Sequence, residues 1–496
     1  MIKKVFLIGS CLSFLFNLLV VGQEMLGTSL GNYAGINSVQ LNPSAMHNSR
    51  TYLDIQFLGA DVFLENNFLY QDKADYKFSH FFESGYQWPT HQEGYGTEER
   101  IFYRYDNKKL KNVYSSIRIN GPGAMLIWND HAFVITTAIR NVTSAHNLPY
   151  ELANFIYLGL NYQPQQNINY QDNRPFTGAE MGWAEIGLSY AYRFYARGFN
   201  MLSAGISVRK LFGFAGIYTH SRQLDYTVLN DSTLDVKNAN IEFGLALPIS
   251  YETNDVNLDK LFKGGGFGFD IGITYQHLKQ YHTPHYGMSF CSQQYEDYVY
   301  RIGVSLIDIG AIRFTNNAKK YNIDNRASYW DNLNSIKFRN VNQMLDTISY
   351  KFYGNDTSAF VSDKILLWLP SAFSVQFDYH LKQNWYINAT LIYGFNLSRA
   401  SLSRPSELSI TPRYEKKWFE ASLPISLYDW YLPRIGLAFR FYGFTIGTEK
   451  LGGFFNLSNF TGLDLYFSVK LFFNKGSCRG GSRRNPCGNL EFNSNN

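Results

Sequence analysis

Residues 463–473 alternate without an error on one face, only Phe472 being apolar on the other. Leu463, Leu465, Phe467, Val469, Leu471 and Phe473 are apolar, and Asp464, Tyr466, Ser468 and Lys470 fall between them. Successive side chains of an extended strand point to opposite faces, so this run has one apolar face and one mixed face. Neither bulk water nor a dry core suits both. A barrel wall with lipid outside and a polar lumen does.

The pattern recurs along the chain. Apolar residues alternate with polar ones in runs at 113–119, 133–140, 186–194, 202–209, 241–250, 267–276, 373–382, 385–394 and 434–442, with further strands expected near Leu53 and Phe419. Runs of about ten residues suit a tilted barrel strand, which crosses a bilayer in roughly 9–11 residues. Roughly thirteen such segments, with the even number usual for single-chain barrels, predict an all-β fold: a transmembrane antiparallel β-barrel of about 14 strands, 12 and 16 being the neighbouring choices. Aromatics make up 17% of the chain, which suits strands and interfacial girdles. Mean hydropathy is -0.24, because alternation hides apolar surface from an averaged index. The net charge of +5, from 45 basic and 40 acidic residues, gives no reason to expect nucleic acid.

Lys3 and Lys4 precede a mostly apolar stretch at 5–21, and Val20 and Gly22 suit a signal-peptidase site. Residues 1–22 are therefore expected to be a cleaved signal peptide. A retained anchor, and a lipoprotein cut at Cys11, are the alternatives. Residues 23–50, rich in Gly, Asn and Ser, form either a loose tail or a small hatch in the lumen. Residues 51–473 form the barrel, and residues 474–496 a periplasmic tail. The polar stretches 71–111, 143–178, 277–297 and 313–364 are expected as long loops, and Asn129-Asp130, 198–200 and Gln383-Asn384 as short periplasmic turns. An even strand number puts both chain ends in the periplasm of a Gram-negative cell, with the barrel in the outer membrane.

Register assigns charged residues to the lumen. Arg118, Arg140, Arg193, Arg209, Asp270, Asp378, Arg440 and Lys470 all fall opposite an apolar face, as do Lys382, Arg434 and Asp464. Arg or Lys facing mid-bilayer lipid costs about 2–4 kcal/mol. These charges either pair across a filled lumen or line a path for solute. Cys478 and Cys487 are close enough for a tail disulfide, two free thiols being the alternative, and Cys291 stands alone.

Catalytic signatures are missing: there is no His-Glu-x-x-His, no Gly-x-Ser-x-Gly and no phosphate loop. The glycines at 264–268 precede a strand, where a dinucleotide site needs them after one. Asp61, Glu65, Asp255 and Asp259 read as solvated loop charges, and His277, His282 and His285 are too loosely spaced for a metal. The chain is therefore expected to be no enzyme and to need no cofactor.

Leu41-Asn42-Pro43-Ser44-Ala45, within residues 35–46, resembles the Asn-Pro-Ala element at the N-terminus of FadL-type transporters and of PorV-like barrels of the Bacteroidota. Residues 266–272, 369–373, 441–448 and 462–473 resemble segments of the same outer-membrane group. The resemblance implies a 14-strand barrel, a hatch carrying Asn42 and Pro43, and passage of small, hydrophobic molecules. Its PorV-like side implies instead a docking barrel in a larger assembly, such as a secretion machine. Many such barrels end at an aromatic residue, whereas here a tail follows Phe473. Expected partners are outer-membrane lipid, hydrophobic small molecules and, on the second reading, outer-membrane or periplasmic proteins.

Overall fold

The computed structural model describes residues 25–477, apart from 78, 81, 82, 84, 93–98, 257–260 and 283–289. The expected signal segment, Cys478 and Cys487 lie outside the described residues.

Among the described residues, 14 antiparallel strands close into one barrel. They are β1 (Thr51–Asn66), β2 (Lys111–Asn120 and Gly123–Trp128), β3 (His131–Leu148), β4 (Phe176–Arg197) and β5 (Asn200–Val228). Next come β6 (Leu234–Ala246 and Gly264–Leu278), β7 (Tyr298–Phe314 and Ala318–Trp330) and β8 (Phe360–Ser362, Ile365–Trp368 and Ala372–Lys382). The last six are β9 (Trp385–Gly394), β10 (Glu407–Glu415), β11 (Phe419–Ser422 and Ile425–Tyr428), β12 (Leu432–Ile435 and Leu437–Phe441), β13 (Phe444–Thr448) and β14 (Gly462–Asn474). Each strand pairs with the next, and β1 pairs with β14 from Thr51↔Asn474 to Glu65↔Gly462. That last pairing removes the sheet edges, which an open sheet would expose.

Alternation is visible in burial. On β14, Asp464, Tyr466 and Ser468 have no exposed surface, whereas Val469 is 37%, Leu471 48% and Phe473 40% exposed. The outer face carries a continuous apolar belt, for example Ile206 and Val208 on β5 and Phe267, Phe269, Ile271 and Ile273 on β6. Trp128, Phe194, Phe199, Trp385, Trp418 and Tyr442 stay exposed near the turns of one end. That end, which also receives Thr51 and Asn474, is called the lower end below.

Several loop expectations change. The stretch 313–364 is not one loop: Ala318–Trp330 continues β7 upward, because its Tyr321 and Ile323 pair with β6 and cover apolar wall. It also contains α2 (Val341–Tyr353), as 143–178 contains α1 (Tyr150–Leu158). Asn340 caps α2 by accepting from the Gln343 N–H at 2.8 Å, and Gly354, at φ +75°, ends it. Val341, Leu345, Ile348 and Phe352 form the stripe that packs on the outer face of upper β6 and β7. Residues 247–256 leave the wall after the upper half of β6, and Leu247, Ile249 and Tyr251 pack beneath α2. The stretch 277–297 was expected among the long outer loops. Its described residues, 277–282 and 290–297, instead lie at the lower end, where Leu278 donates to the Phe199 carbonyl and Lys279 to that of Asp297. Cys291, in this loop, is disulfide-bonded rather than alone.

Candidate functional site in the lumen

The lumen is filled in layers, and β5 shows their order. Going up from the lower end, its inward positions are Ser203, Gly205 and Ser207, then Arg209, then Leu211 and Gly213, then Tyr218.

The lowest layer is residues 25–50, two short 3-10 turns (Gly35–Gln40 and Pro43–Asn48) folded inside the barrel. Wall side chains hold the backbone of this plug. Glu449 accepts from Gly27 N–H at 3.0 Å, Glu415 from Asn32 N–H at 3.0 Å and Asp54 from Ile36 N–H at 3.1 Å. Lys470 donates to the Tyr33 carbonyl at 2.7 Å and the Ala34 carbonyl at 2.6 Å while pairing with Asp54 at 2.8 Å. Burying polar backbone is tolerable only with partners of this kind.

Asn42 is anchored through both polar atoms of its side-chain amide. Its Oδ1 accepts from the Ser44 N–H at 2.9 Å, capping the second turn, and its Nδ2 donates to Gln376 at 2.8 Å. The socket exists because paired strands carry glycine there: Gly205 faces Gly272. A Cβ on Gly205 would stand 2.6 Å from the Pro43 carbonyl carbon, and one on Gly272 would overlap Asn42 Oδ1. Glycine at 205 lets the Pro43-Ser44 backbone come this close, and glycine at 272 makes room for the Asn42 side chain.

Above the plug lies a charge layer centred on Asp308, which sequence reasoning missed. Arg140 donates to both its oxygens at 2.8 and 3.0 Å. Arg209 lies 3.0 Å and Arg404 3.3 Å from the same carboxylate, and the Asp308 N–H donates to Asp270 at 2.7 Å. Asp308 sits at φ +57° in a bulge of β7. The bulge was readable: apolar residues fall at 302, 304 and 306, then shift phase to 307 and 309. Arg118 joins through Glu185 at 3.1 Å and reaches the plug at Gln40, 2.9 Å away. Asp270 pairs with Arg209 at 2.6 Å.

Asp378, Arg440 and Arg193 sit lower, whereas Arg434 and Asp464 sit at the level of Phe63. Asp378 takes both ends of Arg413 at 2.9 and 3.0 Å. Arg440 pairs with Glu420 at 3.0 Å and lies 4.5 Å over the Tyr33 ring of the plug. Arg434 pairs with Glu407, and Asp464 is fully buried. Arg193 is at the lower rim, 2.9 Å from Asp130 and 3.2 Å from Glu296. Lys382 is exposed at the same rim and does not point inward, since the register of β8 slips after His380. Residues 295–297 latch the plug from below: Asp297 holds Arg50 at 2.8 Å, and Tyr295 donates to Asn32 at 2.9 Å.

Above the Asp308 layer apolar side chains gather, beside the buried pairs Arg434–Glu407 and Lys450–Glu65. Phe63, Met181, Trp183, Leu211, Ile312, Phe314, Ile365, Leu367, Leu369 and Leu402 form one buried cluster. Over it lie two chambers. One of about 280 Å³ is bordered by Tyr114, Tyr428, His146, Arg404 and Asp429, and one of about 630 Å³ by Tyr218, Glu242, Lys320, Ile365 and Trp368. The turn residue Asp429 is held above the usual carboxylate range by burial. One cavity beside the plug has about 20 Å³, room for about one water, and another of about 60 Å³ borders His47. Among the described residues no group of three or more His, Cys, Asp or Glu is placed to hold a metal.

These features define a closed 14-strand barrel with a stoppered lumen. Residues 43–449 match a family of unknown function, DUF5723, and the chain belongs to that family. No curated protein matches it in sequence. Among solved structures it is similar to the P. putida toluene transporter TodX, at 8% identity over 92% of this chain and 100% of that one, with a TM-score of 0.39. It is also similar to a Pseudomonas aeruginosa FadL homologue, at 11% identity over 91% and 97% of the two chains, with a TM-score of 0.39.

Proposed function

We propose that this protein is an outer-membrane barrel for the passage of small apolar molecules, with residues 25–50 as its gate. The lower end, with both ends of the wall, faces the periplasm. The observation that carries this reading is the apolar layer inside the lumen. A water-filled pore is lined by polar groups, whereas here Trp183, Leu211, Phe314, Ile365 and Leu367 line the interior beneath the two upper chambers. Tyr114 and Tyr428 border both the 280 Å³ chamber and that cluster, so an apolar solute entering from above meets apolar side chains next. The chamber is near the small end of the roughly 300–1,000 Å³ typical of ligand pockets, which favours a compact solute. The plug closes the route below, and transport requires it to shift.

The test is uptake of a small uncharged aromatic solute by vesicles with an asymmetric outer-membrane lipid composition. Removing residues 25–50 should raise uptake several-fold over the full chain, and Leu367→Asp should abolish the gain. Uptake equal to protein-free vesicles in the plug-less chain would sink the proposal. A stoichiometric protein partner retained in mild detergent, together with no uptake, would favour the docking barrel instead.

A further inference from the structure

The phase slip at Asp308 that turns Ile312 and Phe314 inward also turns Arg313 outward, where it is exposed. Across one strand, Lys210 of β5 is exposed on the same outer face. Gly265 links the two: it pairs with Arg313, and a Cβ there would stand 4.0 Å from Lys210 Nζ. Lys210 lies 4.3 Å over the Phe267 ring, and neither cation has an anionic partner among the described residues. Phe212 and Phe262 lie beside them in tilted contact, 5.4 Å between ring centres, and Phe262 and Phe267 are exposed.

Height gives the pair its meaning. Lys210 is ten residues above the lower turn at Asn200, and at 3.4 Å per residue and a tilt of about 40° that is roughly 25 Å, the height of the apolar band of an outer-membrane barrel. Two unpaired cations at mid-bilayer would be costly, but at the outer boundary they meet headgroups. We propose that Lys210 and Arg313 clamp the phosphate of an outer-leaflet lipid headgroup, with Phe212, Phe262 and Phe267 against the top of its acyl chains. Arg supplies a planar fork for the phosphate oxygens and Lys a point charge. The inference rests on the bilayer reading of the barrel but not on solute passage.

The experiment measures phosphorylated lipid retained by the full chain after detergent washing, by native mass spectrometry. The double variant Lys210→Gln/Arg313→Gln should retain roughly 10- to 30-fold less, each cation near a membrane surface contributing about a factor of five. Each single variant should fall between, and Lys382→Gln, an exposed cation at the other end of the wall, should match the unchanged protein. Faster gel migration without boiling shows that each variant still closes, and the single variants serve if the double one does not. Equal retention in the variants, or equal retention of phosphate-free lipid, overturns the proposal. So does displacement of the lipid by millimolar inorganic phosphate, which would make the site one for a soluble anion. Loss of lipid retention with solute uptake intact, or the reverse, separates this inference from the functional reading.

Discussion

Asp308 is the residue on which the lumen's charge balance turns, since Arg140, Arg209 and Arg404 all rest on it. Removing one member of a buried charge cluster leaves the others unopposed, at a cost of about 3–5 kcal/mol. Asp308→Ala should destabilise the folded barrel by that much in denaturant titrations followed by tryptophan emission. Asp308→Asn should cost clearly less, because asparagine tolerates the left-handed backbone and keeps hydrogen-bond acceptors for the arginines. Lys475, just past β14, offers a pH test. Burial, then Arg193 and Arg301, push its pKa from 10.5 down to about 7. Between those values the unfolded chain binds one more proton than the folded one, so stability rises with pH across that window. Below about pH 7 the lysine is charged in both states and the cost of burying it is complete. The unfolding midpoint should therefore climb between pH 7 and pH 10, and Lys475→Met should flatten that climb.

At the scale of elements, the plug and its socket are the unit that decides whether the lumen is open. Gly205 makes room for the Pro43-Ser44 backbone, which cannot step aside, whereas Gly272 makes room for the Asn42 side chain. Gly205→Ala should lift the Asn42-Pro43 turn from the wall while leaving β5 paired. Limited proteolysis should then cut within residues 25–50, where the unchanged protein resists; equal resistance would show that the socket is looser than the geometry says. Element by element, legibility varied. The alternating runs within β3, β4, lower β5, lower β6, lower β8, β9 and β14 could be read directly. Upper β7 could not, because at Ala318–Trp330 the outer face is covered by α2 and the chain itself, so lipid no longer dictates which residues are apolar. The loop 277–297 was assigned to the wrong end because its length, not its anchoring, was visible.

For the whole molecule, closure through β1 and β14 predicts a gel band that migrates faster unboiled than boiled, since a closed barrel resists detergent unfolding. A single position before and after heating would contradict closure. Charged residues behave similarly at this scale: register indicated which of them oppose an apolar face, but their partners lie on distant strands. Arg140 and Asp308 are 168 residues apart, and Lys470 and Asp54 are 416 apart. No local pattern carries such a pairing.

The alternating faces, the strand lengths and the turn residues are local properties, and the chain alone settles them: an all-β wall, apolar on one side, of about this many strands. Which end carries each loop, that residues 25–50 fill the lumen, and that three arginines meet one aspartate were decided only when the sheet closed, because closing the ring brings together side chains that sequence distance keeps apart.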